Sequence, residues 1–266
     1  MTATTLTLRA GIAGTVDLGG VLPETLVRAD AGRLVVGLDG RPVELAELFT
    51  LRPGDADSLV VEAEGVRLDN VGRAMTAGRL RLEGHAGDYA GEAMRGGELL
   101  IAGDAGDFAA CAMRAGLLRI DGRAGDWLAA ARTGERAGMA GGVVAVAGGV
   151  GDRLGDRMRR GLVLVRGRAG RACGARMLAG TLAVAGGCDD LAGFGLRRGS
   201  LVLGVAPELG ATFNEAGVAD LPWLGLLRRY ADAILPGAVF AGTRARRWQG
   251  DLAQGGKGEV LVPACG

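Results

Sequence analysis

The sequence predicts an all-β chain: a right-handed parallel β-helix, a solenoid of about 19 residues per turn, with an N-terminal cap and a partly helical C-terminal extension. Three observations predict it. Methionines at Met75, Met94, Met113, Met139, Met158 and Met177 are separated by 19 residues in four of five intervals and by 26 in the third. Within each interval the apolar residues alternate, as in Leu80 and Leu82, Leu99 and Ile101, or Val163 and Val165. Period-two alternation puts both members of a pair on one face of a strand. Finally, 50 glycines in 266 residues flank these strands and exclude long helices in the repeat, at about 1 kcal/mol for each helical glycine. A unit of 19 residues has a perimeter of roughly 60 Å, enough for short strands joined by tight corners.

Taken in order, residues 1–55 are expected to form the N-terminal cap. Their spacing is irregular, with Pro23, Pro42 and Pro53 and a short helix expected around Glu44–Phe49. The body, 56–206, enters the frame near Ser58–Val66, where Gly65 and Asp69 match later columns. The long interval places seven extra residues within Trp127–Gly138, predicted to bulge from a corner, where solenoid insertions often carry binding function. After Gly204 the period is lost, and 207–266 is the expected C-terminal cap or extension. There Pro222–Leu235 has helical spacing with a proline at its start and another just beyond its end. Half of the ten aromatics follow residue 206: Phe213, Trp223, Tyr230, Phe240 and Trp248. Their two readings are a lid on the last unit and anchors for a partner subunit.

The net charge of +1 carries no global bias toward nucleic acid or membrane. MTATTLTLRAG lacks a secretory apolar core, and the longest uncharged stretch, Met139–Gly151, is too short and glycine-rich to span a bilayer. A cytoplasmic chain is expected. Cys111, Cys173, Cys188 and Cys265 form no C-x-x-C pair, so buried or idle thiols are expected rather than disulfides, zinc or iron–sulfur ligation.

No catalytic constellation emerges. His85, the single histidine, sits near corner glycines and reads as a solvated turn residue. Lys257, the single lysine, lies in GGKGE, which lacks the phosphate-loop pattern. The column Asp88, Asp107, Asp126 and Asp152 follows glycine at each corner and is expected to cap turns. A calcium β-roll would need a nine-residue period, and Arg171 interrupts the column. No catalytic residue, metal ligand or cofactor is assigned to this chain.

Charge is banded. From Glu83 to Asp107 there are six acids and one arginine; from Asp152 to Arg176 there are two acids and eight arginines. Solvated surface is the ordinary reading. The functional one is an interface or anion site, with Arg159, Arg160 and Arg168 as candidates.

The segments GDAGDFAACAMRAG and GRAGRACGARMLAG resemble the G-x-x-G-x-x-x-G repeats of the formylmethanofuran dehydrogenase C-subunit family, a repeat also found at the C-terminus of glutamate synthase large subunits. The tail WQGDLAQGGKGEVLV (Trp248–Val262) is similar to the closing segment of the same C-subunit family, so the resemblance extends over nearly the whole chain. The alanine-, glycine- and arginine-rich composition suggests the bacterial branch, whose members serve a formyltransferase/hydrolase complex of methylotrophs. The resemblance implies a noncatalytic scaffold beside a formyltransferase subunit, an amidohydrolase-like subunit and a dehydrogenase-like subunit. That complex transfers formyl from formyl-tetrahydromethanopterin to a methanofuran analogue and releases formate. The family's carrier bears glutamates, which makes an arginine-rich surface a plausible resting place for it. Two other readings stay open: a subunit of a tungsten or molybdenum formylmethanofuran dehydrogenase, and an autonomous acyltransferase on a left-handed β-helix. The latter fold repeats in sixes, a period not visible here.

Overall fold

The computed structural model describes residues 2–26, 31–237 and 242–264. Phe240 and Cys265 lie outside the described residues. The chain is mostly β. Its N-terminal part holds β1 (Ala3–Leu8), β2 (Thr15–Asp17), β3 (Val35–Leu38), β4 (Arg41–Glu44) and β5 (Phe49–Arg52). Two short helices interrupt them, α1 (Pro23–Leu26) and α2 (Leu45–Leu48). The helix expected near Glu44–Phe49 is therefore present. Glu44 and Glu47 close it with a reciprocal capping box, which satisfies donors that so short a helix cannot satisfy itself.

The repeat supplies β6 (Asp55–Glu62), β7 (Arg67–Asp69), β8 (Arg79–Glu83), β9 (Arg95–Ile101), β10 (Ala115–Ile120), β11 (Ala140–Val146), β12 (Arg160–Val165), β13 (Thr181–Val184) and β14 (Arg198–Leu203). From β8 onward each strand pairs in parallel with the strand of the next unit, and β8 pairs back to β6. The register keeps like columns together: Leu80 faces Leu99, Leu99 faces Leu118, Val144 faces Val163. A second parallel line of bridges runs Ala105–Ala124–Val150–Ala169–Cys188. Each unit thus hydrogen-bonds to its neighbours along more than one side. All six methionines of the repeat are fully buried, as are the alternating pairs of β8 to β14. This is one continuous core.

Glycine marks where successive units come closest. At Gly97, φ is +75°, and a Cβ would sit 2.7 Å from the Met75 methyl and 2.8 Å from the Gly78 carbonyl oxygen. A side chain there would push two units apart and strain the backbone as well.

The sheet continues past the last recognisable repeat. Its strand order is β15-β16-β17-β14-β13-β12-β11-β10-β9-β8-β6-β1-β5, with β15 (Asn214–Asp220), β16 (Arg244–Gly250) and β17 (Lys257–Pro263) at one end. Although the period is lost after Gly204, β17 pairs in parallel with β14 and sets Val260 beside Leu201. At the other end β1 lies parallel to β6, while β2 extends the short sheet of β7. Between β15 and β16 runs α3 (Pro222–Ile234), close to the predicted helix, with proline at its start.

α3 explains a second, smaller core. On the outward face of the strands one column reads Arg81, Leu100, Arg119, Ala145, Leu164, Ala183, Val202 and Leu261. Its last five members are buried together with Leu224, Ala231 and Leu235. The helix turns its apolar stripe onto the half of the column that is apolar and leaves the charged half to water.

Candidate functional site

The corner after β9 and its equivalents is held by aspartates acting between units. Asp69 Oδ1 accepts the Asp88 N–H at 2.8 Å, and the pattern repeats from Asp88 to Asp107 (2.9 Å), Asp107 to Asp126 (2.8 Å), Asp126 to Asp152 (2.7 Å) and Asp152 to Arg171 (2.8 Å). The turn each aspartate caps is the one in the following unit. Its carboxylate lies where the Cβ of that unit's preceding residue would be, so Gly87, Gly106, Gly125, Gly151 and Gly170 must lack one. That is the physical reason for the Gly-Asp pair in the repeat. Arg171 receives the last bond and ends the row.

The residue after each aspartate is left-handed: Tyr89 (φ 62°), Phe108 (59°), Trp127 (62°) and Arg153 (60°). Tyr89 and Phe108 stack with centroids 5.2 Å apart, Phe108 and Trp127 with centroids 5.7 Å apart, and both pairs are within 10° of parallel. The Arg153 guanidinium lies 4.7 Å from the Trp127 ring centroid. The sequence reading missed this stack, although Asp-Tyr, Asp-Phe and Asp-Trp recur 19 residues apart in plain view.

His85 is at another corner. Its Nδ1 accepts the Asp104 N–H at 3.0 Å, and its side chain is 72% exposed. With Nδ1 so engaged, it serves as a link between units at a solvated turn. Lys257 opens β17 and is exposed. Burial, followed by the charge of Glu92, pushes the Cys111 thiol up to about 12, so it carries almost no thiolate near neutrality. Cys173 and Cys188, unpaired in the sequence reading, are adjacent: their mutual hydrogen bond, with burial, raises Cys173, while the same bond and Arg168 lower Cys188. Among the described residues, no three His, Cys, Asp or Glu side chains gather as a metal-ligand set.

The three candidate arginines occupy separate places. Arg159 lines a cleft of about 670 Å³ with Arg95, Arg114, Arg132, Arg136 and Glu135. Arg168 lines a different cleft, where it pairs with Asp189 at 2.7 Å and donates to the Cys188 carbonyl at 3.2 Å. Arg160 opens β12 with an exposed side chain and lines neither cleft. The first cleft is built by two sequence features. Arg95, Arg114 and Arg159 each follow a repeat methionine, and the insertion brings Arg132 and Arg136 over them. Among the described residues, Arg95, Arg114, Arg136 and Arg159 have no ion-pair partner, whereas Arg132 bonds the buried Glu92 at 2.7 Å. Glu92 also meets Arg73 at 2.8 Å, so two cations offset the cost of burying its charge. The insertion is thus pinned down at Arg132, and its exposed residues are Thr133, Gly134 and Arg136.

Comparison with known proteins agrees with this architecture. The family model described as the GXGXG motif matches residues 43–192. The C subunit of the formyltransferase/hydrolase complex Fhc of Methylorubrum extorquens is 40% identical over 86 residues, an alignment covering 31% of this chain and 32% of that protein. One chain of the crystal structure of the formyltransferase/hydrolase complex (FhcABCD) from Methylorubrum extorquens, in complex with methylofuran, superposes with a TM-score of 0.88 at 37% identity. That match covers 98% of this chain and 100% of the other. On the strength of the repeat, its register and these matches, the chain belongs to the GXGXG motif family.

Proposed function

We propose that this chain is the noncatalytic scaffold, or C subunit, of a cytoplasmic formyltransferase/hydrolase complex in one-carbon oxidation. In this reading the complex moves formyl from formyl-tetrahydromethanopterin to a methanofuran analogue and releases formate. The chemistry belongs to its partners: a formyltransferase subunit, an amidohydrolase-like subunit and a dehydrogenase-like subunit. The observation that carries the reading is the match along 98% of this chain, at 37% identity, to a chain of a complex that holds methylofuran. The same match favours this assembly over a tungsten or molybdenum dehydrogenase or an autonomous acyltransferase. Two features of the chain support the absence of catalysis: His85 is used as a backbone acceptor, and the Cys111 thiol is held protonated. The parallel ladders support a parallel β-helix over 56–206, between an N-terminal cap (1–55) and a C-terminal extension (207–266), and its right hand follows from the ordinary chirality of crossovers between parallel strands. Of the candidate arginines, Arg159 is the one whose cleft suits the anionic tail of a carrier, because Arg95, Arg114 and Arg136 beside it have no acidic partner among the described residues and a planar guanidinium grips a carboxylate bidentately.

Affinity purification of the tagged chain from its native host tests the reading. Formyltransferase- and amidohydrolase-like chains should co-elute in fixed ratio, and His85→Ala should leave formyl transfer and hydrolysis by the assembly unchanged. Elution of the chain alone, or a large loss of turnover in that variant, would end the scaffold assignment. Reversing Arg114 and Arg159 to glutamate should weaken carrier binding several-fold, more at low salt than at high.

A further inference from the structure

We propose that Cys188, with Cys173 behind it, is an oxidation site: hydrogen peroxide entering the cleft beside Arg168 converts the two thiols into a disulfide that ties two successive units together. This goes beyond the scaffold reading and does not depend on which reaction the assembly performs.

The two thiols face one interior from neighbouring units. Cys188 forms a parallel bridge with Ala169, four residues before Cys173, and both cysteines belong to the same core. A hydrogen bond joins their sulfurs. Packing alone does not call for sulfur at either place. The column of Cys188 is otherwise Ala105, Ala124, Val150 and Ala169, and that of Cys173 includes Ala109, Leu128, Leu154 and Ala192.

One of the pair meets the surface. Cys173 is fully buried, whereas Cys188 is 8% exposed and lines a cleft of about 390 Å³ with Arg168, Arg171 and Glu208. Arg168 is fixed there by its pair with Asp189 at 2.7 Å and its bond to the Cys188 carbonyl at 3.2 Å. The hydrogen bond from Cys173, and then the charge of Arg168, favour the Cys188 thiolate against the cost of burial. The more nucleophilic sulfur is thus the one at the cleft, and the sulfur behind it is placed to resolve the product.

The Cys188 thiolate attacks one peroxide oxygen and the O–O bond breaks. The departing hydroxide takes up the proton that the thiol had released, giving water and a sulfenic acid on Cys188. The Cys173 sulfur then displaces the hydroxyl from the Cys188 sulfur, and its proton leaves with that hydroxyl as a second water. Two thiols are oxidised by two electrons, the peroxide is reduced to two waters, and a dithiol reverses the change. In a reducing compartment such a disulfide is transient, as in redox sensing.

The test exposes the reduced full chain to hydrogen peroxide at neutral pH, blocks the remaining thiols under denaturing conditions and maps the tryptic peptides by mass spectrometry. Cleavage after Arg176 puts the two cysteines on different peptides. These should appear cross-linked, lighter than their sum by two hydrogens, and dithiothreitol should separate them, while Cys111 stays a thiol. In Cys173→Ala the sulfenic acid on Cys188 should be trapped by dimedone. In Cys188→Ala oxidation of Cys173 should slow at least about tenfold. Alanine fills the equivalent positions 192 and 169, so both variants should keep the fold. Arg168→Gln leaves both thiols in place and should slow disulfide formation about three- to tenfold, with the pH midpoint of the rate moved upward. Peptides that stay separate after peroxide, or Cys111 oxidised as fast as Cys188, would overturn the proposal. So would undiminished oxidation of Cys173 in Cys188→Ala, or a wild-type rate in Arg168→Gln.

Discussion

At the scale of single residues, the corner aspartates show how a short motif is explained by a contact 19 residues away. Asp107 bonds the Asp126 N–H in the next unit at 2.8 Å, and Gly125 leaves the space it needs. Asp107→Ala should lower stability by about 0.5–1.5 kcal/mol, because the Asp126 N–H exchanges its carboxylate acceptor for water at an exposed corner. Asp107→Asn, which keeps the acceptor, should cost less than half of that; urea denaturation of the two variants separates the bond from the charge. The aspartate and glycine columns could be read from spacing alone, but the partner of each aspartate could not. Local turn capping and capping of the neighbouring unit leave the same trace in the sequence. Glu92 was less legible still: its partners Arg73 and Arg132 lie 19 residues before it and 40 after it, and the latter belongs to an insertion outside the repeat.

At the scale of elements, α3 was legible as a helix but its seat was not. Proline at its start and apolar residues at helical spacing marked it out. Its docking place depends on the outward column, which changes from Arg81, Leu100 and Arg119 to Ala145, Leu164, Ala183 and Val202. Leu224 is fully buried against that apolar half. Leu224→Ala should cost about 2–5 kcal/mol. Because α3 touches only the outside of the sheet, the loss should be local. Hydrogen exchange should show α3 opening while β8 to β13 keep their protection, and loss of protection throughout would make the helix part of the cooperative unit. Of the C-terminal aromatics, Trp223 and Trp248 pack against the two cores and Tyr230 is 52% exposed.

At the scale of the whole molecule, stability depends on units supporting one another. Ile101 is fully buried, in register with Leu82 and Ile120 of the flanking units. Ile101→Asp puts an unpaired carboxylate into that core, at a cost of several kcal/mol. Nearest-neighbour coupling predicts that protection falls first in β8, β9 and β10 and that the thermal midpoint drops steeply. A midpoint equal to the wild type would mean that the core has rearranged to let the new carboxylate reach water, and that the coupling is weak.

The sequence by itself determined the strand positions, the inward columns, the methionine core and the extra helix. Each of these follows from a local period, and a period is recorded in one unit and repeated in the next. Only the tertiary structure decided that β17 extends the sheet after the period is lost. It alone brought Cys173 beside Cys188 and separated Arg159 from Arg168, which a linear charge band had grouped together. It also placed arginines from the repeat and from the insertion around one cleft. For the arginines of the repeat the physical reason is the stacking itself. Parallel stacking brings equivalent columns into contact and sends neighbours in sequence to different corners, so a charge run along the chain is spread around the molecule while residues about 19 apart meet.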